Sequence, residues 1–205
     1  MAASTSPVPS INGARGPAGR IAVNLALWAQ SELPKDSIGW HLVEDAASAG
    51  ALAQAVERHP RRVIGGTGIG RAILYAVALF QDNGFSGTRR VIDLSGDGRE
   101  TTFRTWSVPP EQARFAARAA QVTINGLAIL TDEADLGQYY RENVISGPDS
   151  FVMEVNGFED FSEAMLEKIL REIEYRPKIG ALRGSASALA ATSRGQRPPP
   201  PPHRP

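Results

Sequence analysis

The chain has 205 residues, enough for one domain and a tail, and its 42% apolar content can supply a sizeable core. Twenty-two basic and 22 acidic side chains cancel, which argues against electrostatic attraction to nucleic acid or to an anionic membrane. Cysteine is absent, so disulfides, thiolate zinc sites and cysteine nucleophiles are excluded.

The two ends of the chain differ in composition from its middle. Residues 1–19 are rich in Ala, Ser, Pro and Gly, which predicts a flexible lead-in. Residues 178–205 end in PPPPPHRP, which predicts a disordered tail. No stretch is apolar enough to span a bilayer, and the first twenty residues contain no signal segment. We therefore predict one domain at residues 20–177, and the compartment stays open.

The first half of this domain predicts a hairpin followed by two helices. Two β-prone runs, residues 21–29 and 38–44, are joined by the turn-forming segment SELPKDS. Asp45 can cap a helix that Pro60 closes. Residues 69–80 carry apolar side chains at the spacing of an amphipathic helix.

The second half predicts alternating strands and helices. Strands are expected at residues 89–95, 122–130 and 151–155, and helices are expected after Pro109, at 136–143 and after Asp160. In the last helix Asp160 and Glu163 are expected to form a capping box. The expected buried stripe of that helix is Phe161, Met165, Ile169 and Ile173. This alternation predicts an open, mostly parallel α/β sheet with helices on both faces.

Two glycine-rich loops stand where open α/β sheets bind their ligands. GGTGIG, residues 65–70, places Thr67 before a helix, and SGDG, residues 95–98, places Asp97 just past a strand. Thr67 could instead be a helix cap, and Asp97 could instead form an Asx turn. Trp106, in the polar loop after Asp97, is predicted to contact a partner, with packing of its own loop as the alternative.

Five segments of the chain occur together in a specific order. They are VIGGTGIGRAI, RRVIDLSGDG, VTINGLAIL, YYRENVISGPDSFV and GFEDFSEAMLEKILREI. Over about residues 11–175 the chain closely resembles an uncharacterised bacterial family related to von Willebrand factor A domains. The resemblance implies a Rossmann-like sheet of the von Willebrand factor A type.

The resemblance also implies a metal-ion-dependent adhesion site. In that superfamily the site is built from an Asp-x-Ser-x-Ser loop after the first strand, a Thr in a second loop and an Asp in a third. Thr67 and Asp97 match the second and third loops, and the first loop has no counterpart in this sequence. We therefore expect an incomplete site with no cofactor in this chain, and Mg²⁺ or Mn²⁺ in a full-length relative.

The missing loop belongs to a missing first strand, which the resemblance places in mid-sheet between residues 21–29 and 89–95. Because buried backbone groups without partners cost about 1 to 3 kcal/mol each, we expect the flanking strands to pair or another segment to fill the gap. Residues 1–19 contain three prolines and are poor candidates for that strand. The sequence is thus interpreted as an incomplete or degenerate copy of a longer protein, whose relatives often look exported.

The resulting hypothesis is a non-catalytic module that binds an unidentified protein partner, and neither nucleic acid nor a membrane. The alternative is a nicotinamide-dependent oxidoreductase, because residues 65–70 form a glycine-rich loop and Asp93 follows at nearly the spacing of a ribose-binding acid. A third hypothesis takes IDLSGDG as a phosphatase-type aspartate loop, although it lacks a second acid in the usual register. The three histidines are scattered, which disfavours a Ser-His-Asp triad.

Overall fold

The computed structural model describes residues 19–30, 35–60, 65–101 and 107–174. Within these ranges the chain forms seven strands and five helices. In chain order they are β1 (Ile21–Val23), β2 (Ala26–Leu27), β3 (Asp36–Ser37), β4 (His41–Val43), α1 (Ala46–Arg58), α2 (Ile69–Leu79), β5 (Arg90–Gly96), α3 (Pro110–Ala119), β6 (Val122–Ile129), α4 (Leu136–Asn143), β7 (Val152–Val155) and α5 (Phe161–Ile173).

The central element is a parallel sheet in the order β5-β6-β7. Strand β6 lies in the middle, and all eight of its residues are buried. This is the pattern expected for a parallel strand that is covered on both faces. The register places Asp93 of β5 opposite Asn125 of β6, and Gly126 of β6 opposite Val152 of β7.

Alternate residues of this sheet face two different layers of helices. On one face the buried strand residues are Ile92, Leu94, Ile124 and Ala128. They share a core with residues of α2, α3 and α4, namely Ile69, Ile73, Ala113, Ala117, Leu136 and Tyr140. On the other face a smaller cluster joins α5 to the sheet, formed by Leu127, Ile129, Val155 and Ala164. The structure is therefore mixed α/β with helices on both faces of a parallel sheet, an arrangement compatible with a Rossmann-like fold.

The α5 side of the sheet also contains a buried ion cluster. Lys168 is fully buried, with its Nζ 2.5 Å from Asp93 Oδ1 and 3.2 Å from Glu172 Oε1. Asn125 donates a hydrogen bond of 2.6 Å to the same Glu172 oxygen. The predicted stripe of α5 is therefore partly wrong, because Ile169 is 38% exposed and Lys168 lies inward.

The hairpin differs from its prediction. The first predicted arm is broken into β1 and β2, the second arm contains β4, and β3 lies in the segment that was predicted as the turn. Strand β1 pairs with β4 and β2 pairs with β3, both antiparallel. Trp40 attaches the hairpin to α2, since its Nε1 donates to Leu79 O at 3.0 Å and its ring lies 5.3 Å from that of Phe80. Among the described residues β5 pairs only with β6, so the hairpin does not join the parallel sheet. We expected that the strands at residues 21–29 and 89–95 might pair with each other in place of the missing first strand. Among the described residues they do not pair.

Two predicted helix caps had different outcomes. Asp45 caps α1 through a capping box, in which Ser48 N–H donates to Asp45 Oδ1 at 2.8 Å. At α5, Asp160 makes no side-chain cap bond, so the predicted box with Glu163 is wrong. The reason is local geometry: Asp160 has helical dihedral angles, whereas a capping residue is normally extended. None of the helices in the described ranges is both long and apolar enough to cross a bilayer.

Candidate functional site

The two glycine-rich loops meet at the carboxyl end of β5. Thr67 N–H donates to Thr101 Oγ1 at 2.7 Å, and Thr101 N–H donates to Thr67 O at 2.8 Å. A Cβ atom added to Gly98 would lie 3.2 Å from Thr67 Oγ1. Thr67 is thus held beside the loop that carries Asp97, whose side chain is exposed. We call the loop cluster formed by residues 65–68, 96–101 and 131–135 the loop crevice.

At the start of α2, backbone N–H groups donate hydrogen bonds to other parts of the protein. Its N-cap is Gly68 with no side-chain cap bond, so Thr67 does not serve as the helix cap that was its structural alternative. Gly68 N–H donates to Ala29 O at 3.1 Å, and Gly70 N–H donates to Glu100 Oε2 at 2.9 Å. A carboxylate is favoured at this position by the partial positive charge of a helix N-terminus. The loop after β5 therefore fastens the beginning of α2.

The loop after β6 closes the crevice from the other side through Arg99. The Arg99 Nε atom lies 2.5 Å from Glu133 Oε2, and an Arg99 terminal nitrogen lies 2.5 Å from Asp135 Oδ2. The hydrogen bond from Arg99 holds the pKa of Asp135 below its usual range, and the bonds to Asp135 and Glu133 raise the pKa of Arg99. The guanidinium also lies 5.2 Å from the ring centre of Tyr139. Two loops are joined here, those after β5 and β6, and this pairing was not predicted from the sequence.

Tyr140 of α4 packs beneath Gly96, the last residue of β5. Its side chain is fully buried, and its hydroxyl has no hydrogen-bond partner among the described residues. A Cβ added to Gly96 would lie 2.7 Å from that hydroxyl, and one added to Gly126 would lie 2.8 Å from the ring. Glycines on two neighbouring strands thus make room for Tyr140. Burial raises the pKa of the Tyr140 hydroxyl, and charge interactions with Asp97, Tyr139 and Glu133 raise it further.

Of the three predicted site residues, the structure brings Thr67 and the Asp97 loop together. Trp106 lies outside the described residues. The residues that sequence reasoning missed, Arg99, Glu133 and Tyr140, carried one weak signal. Glu133 follows the end of β6 as Asp97 follows the end of β5, and both strand ends point to the same edge of a parallel sheet.

Thr67 and Asp97 are the two described residues that the resemblance matches to a divalent-cation site. Mg²⁺ requires about six oxygen ligands in near-octahedral geometry. Across the described ranges, no three His, Cys, Asp or Glu side chains are grouped so that they could hold a metal ion. One hydroxyl from Thr67 and one carboxylate from Asp97 would leave the remaining positions to water.

The fold and the site together define a mixed α/β protein with a crevice at the carboxyl ends of its parallel strands. Residues 3–177 match the family described as Protein of unknown function (DUF1194), and the chain belongs to that family. No curated protein matches the chain significantly.

Proposed function

We propose that this chain is a von Willebrand factor A-like, non-catalytic module that binds a protein partner at the loop crevice. The observation that carries the proposal is the meeting of Thr67 with the Asp97 loop at the carboxyl end of β5. These are the two positions that the sequence resemblance matches to an adhesion site. The parallel sheet with helices on both faces is compatible with that relationship.

The proposed module uses the crevice as a preformed surface. Backbone bonds join Thr67 to Thr101, and the Arg99 ion pairs join the loops after β5 and β6. A surface whose loops are already cross-linked loses little conformational entropy when a partner binds. Since the cation site is incomplete, the proposal gives Mg²⁺ and Mn²⁺ at most a minor part in this chain.

The oxidoreductase alternative has less support from the geometry. A dinucleotide loop presents free N–H groups of a helix N-terminus to the pyrophosphate. Here Gly70 N–H already donates to the Glu100 carboxylate, which would repel a phosphate. Gly70 also has a packing role, because a Cβ at this position would lie 1.8 Å from Val108 O. Gly70 of this glycine pattern is thus accounted for without a cofactor.

A pull-down from the source organism, followed by quantitative mass spectrometry, tests the proposal. The matched baits are the wild type, Asp97→Asn in the crevice and Glu163→Gln on the exposed side of α5. We expect at least one protein to be captured by the wild type and by Glu163→Gln and to be lost with Asp97→Asn. If all three baits capture the same proteins, the crevice is not the binding surface. Titration calorimetry with magnesium supplies the second test: a micromolar affinity that disappears in Thr67→Ala would show a functional metal site instead.

A further inference from the structure

Resting on the proposed function, we infer that Thr101 is a positioning residue of the loop crevice, which holds Thr67 by its backbone and leaves the Thr67 hydroxyl as the group offered to a partner. Thr101 lies in the loop after β5, and Thr67 lies 34 residues earlier in the chain, before α2. Thr101 itself need not touch the partner. The sequence resemblance matches Thr67 to an adhesion site and assigns no part to Thr101.

The first argument is that Thr101 bonds to both backbone groups of Thr67. The Thr67 N–H donates to Thr101 Oγ1 at 2.7 Å. The Thr67 carbonyl accepts from the Thr101 N–H at 2.8 Å and from the Thr101 hydroxyl at 3.3 Å. One residue thus engages the donor and the acceptor of the Thr67 backbone together. Because the backbone conformation restricts the rotamers of a side chain, these bonds limit where the Thr67 hydroxyl points.

The second argument is the direction of the Thr67 hydroxyl. A Cβ added to Gly98 would lie 3.2 Å from Thr67 Oγ1, so the hydroxyl faces the backbone next to Asp97. A hydroxyl can donate one hydrogen bond and accept two. Since Thr101 already engages the Thr67 backbone, the hydroxyl is the polar group that Thr67 can present on the side of the Asp97 loop.

The third argument is the room that Gly66 leaves for the Thr101 hydroxyl. A Cβ added to Gly66 would lie 2.6 Å from Thr101 Oγ1, which is too close for a nonbonded contact, but 3.8 Å from Thr101 Cβ, which is an ordinary one. A side chain at position 66 would therefore displace the oxygen that accepts from Thr67. Because Gly66 directly precedes Thr67, the GGTG sequence itself provides the space for this contact.

Amide hydrogen exchange of the full 205-residue chain, followed by NMR, tests whether Thr101 holds Thr67 in solution. Thr101→Val keeps the shape of the side chain and removes the acceptor oxygen, so protection of the Thr67 amide should fall about fivefold, the usual worth of one hydrogen bond. Thr101→Ser keeps the hydroxyl and should restore the protection. The matched control is Thr88→Val, at an exposed position two residues before β5, which should change nothing at Thr67.

Gly66→Ala gives a second measurement on the same contact. After correction for the intrinsic exchange rate of each sequence, it should also lower the protection of the Thr67 amide, because the added methyl displaces the Thr101 hydroxyl. In Thr101→Ala that oxygen is already absent, so adding Gly66→Ala should have little further effect. An equal loss in both backgrounds would contradict the third argument. The Gly126 amide, which donates to Phe151 O at 2.9 Å within the sheet, reports any loss of overall stability.

The pull-down that tests the proposed function supplies the binding measurement. A protein that Asp97→Asn fails to capture should be captured less by Thr101→Val and normally by Thr101→Ser. Unchanged exchange at Thr67 in Thr101→Val would overturn the inference, whatever the baits capture. Faster exchange with unchanged capture would also overturn it, while the proposed function would stand. If no captured protein depends on Asp97, the proposed function fails and the inferred role in binding fails with it.

Discussion

The two faces of the parallel sheet are stabilised in different ways. Against α2, α3 and α4 the sheet presents apolar side chains, such as Ile92 and Leu94, in the larger of the two buried clusters. Against α5 the neighbouring residue Asp93 meets fully buried Lys168. Successive residues of β5 thus belong alternately to an apolar core and to an ion cluster. The comparison shows that a covered sheet face need not be an apolar face.

The largest expected effect comes from breaking the ion cluster on the α5 face. Lys168→Ala leaves the carboxylates of Asp93 and Glu172 buried without their cation, which should lower the free energy of unfolding by about 3 to 5 kcal/mol. Urea unfolding followed by circular dichroism measures it. The control replaces the cluster as a group, with apolar residues at positions 93, 168 and 172, and should cost less than Lys168→Ala, because no buried charge is then left and only the Asn125 amide loses its acceptor. A loss below about 1 kcal/mol for Lys168→Ala would mean that the cluster is solvated in solution.

A comparable but smaller loss is expected on the apolar face. Ile73 of α2 is fully buried, so Ile73→Ala removes buried methyl groups and leaves a cavity, with an expected cost of about 2 to 5 kcal/mol. The matched control is Ile169→Ala on α5, whose side chain is 38% exposed and which should cost less than Ile73→Ala. If the two changes cost the same in urea unfolding, the apolar stripe predicted for α5 from the sequence would be correct after all.

The contrast between the apolar face and the ion cluster also explains which parts of the fold could be predicted from the sequence. Helix α4 was predicted at residues 136–143 and forms there, and β6 ends within one residue of its prediction, because periodicity and buried apolar runs carry that information. Periodicity assigned Ile169 to the interior of α5 instead of Lys168. Of the partners of Lys168, Asp93 lies on β5 and Glu172 lies one turn further along α5. The burial of Lys168 therefore depends on tertiary contacts, which a local sequence pattern does not contain.

The candidate site was predictable to a similar extent. Glycine-rich loops at strand ends located Thr67 and Asp97, and the structure brings their loops together. Arg99 and Glu133 lie 34 residues apart in sequence, so their pairing depends on the register of β5 against β6. The broken hairpin was missed for a related reason, since its strands are only two or three residues long and alternation is a weak signal over such lengths.

The next expected effect is on the α5 face, where the contribution of Asp93 to the free energy of unfolding should depend on pH. Burial raises the pKa of Asp93, and this outweighs the lowering by Lys168, so the folded protein holds the proton more tightly than the unfolded chain. The stabilisation from this proton is complete below the unfolded pKa and is lost as the pH rises through the higher folded pKa. Wild type should therefore lose stability relative to Asp93→Asn as the pH rises above about 4, the usual pKa of an aspartate, as urea unfolding at several pH values would show. Parallel curves for the two proteins would contradict this.

The smallest expected change in stability concerns Tyr140, whose hydroxyl is a buried polar group on the apolar face. Its ring packs in the core with α2 and α3, while its hydroxyl has no partner among the described residues. Tyr140→Phe removes one oxygen atom and should leave the free energy of unfolding unchanged or raise it by about 1 kcal/mol, because an unsatisfied buried group is removed. The matched control is Tyr75→Phe on the same layer of helices, where the tyrosine is only partly buried. A clear loss of stability in Tyr140→Phe would show that the hydroxyl has a permanent partner, such as a buried water.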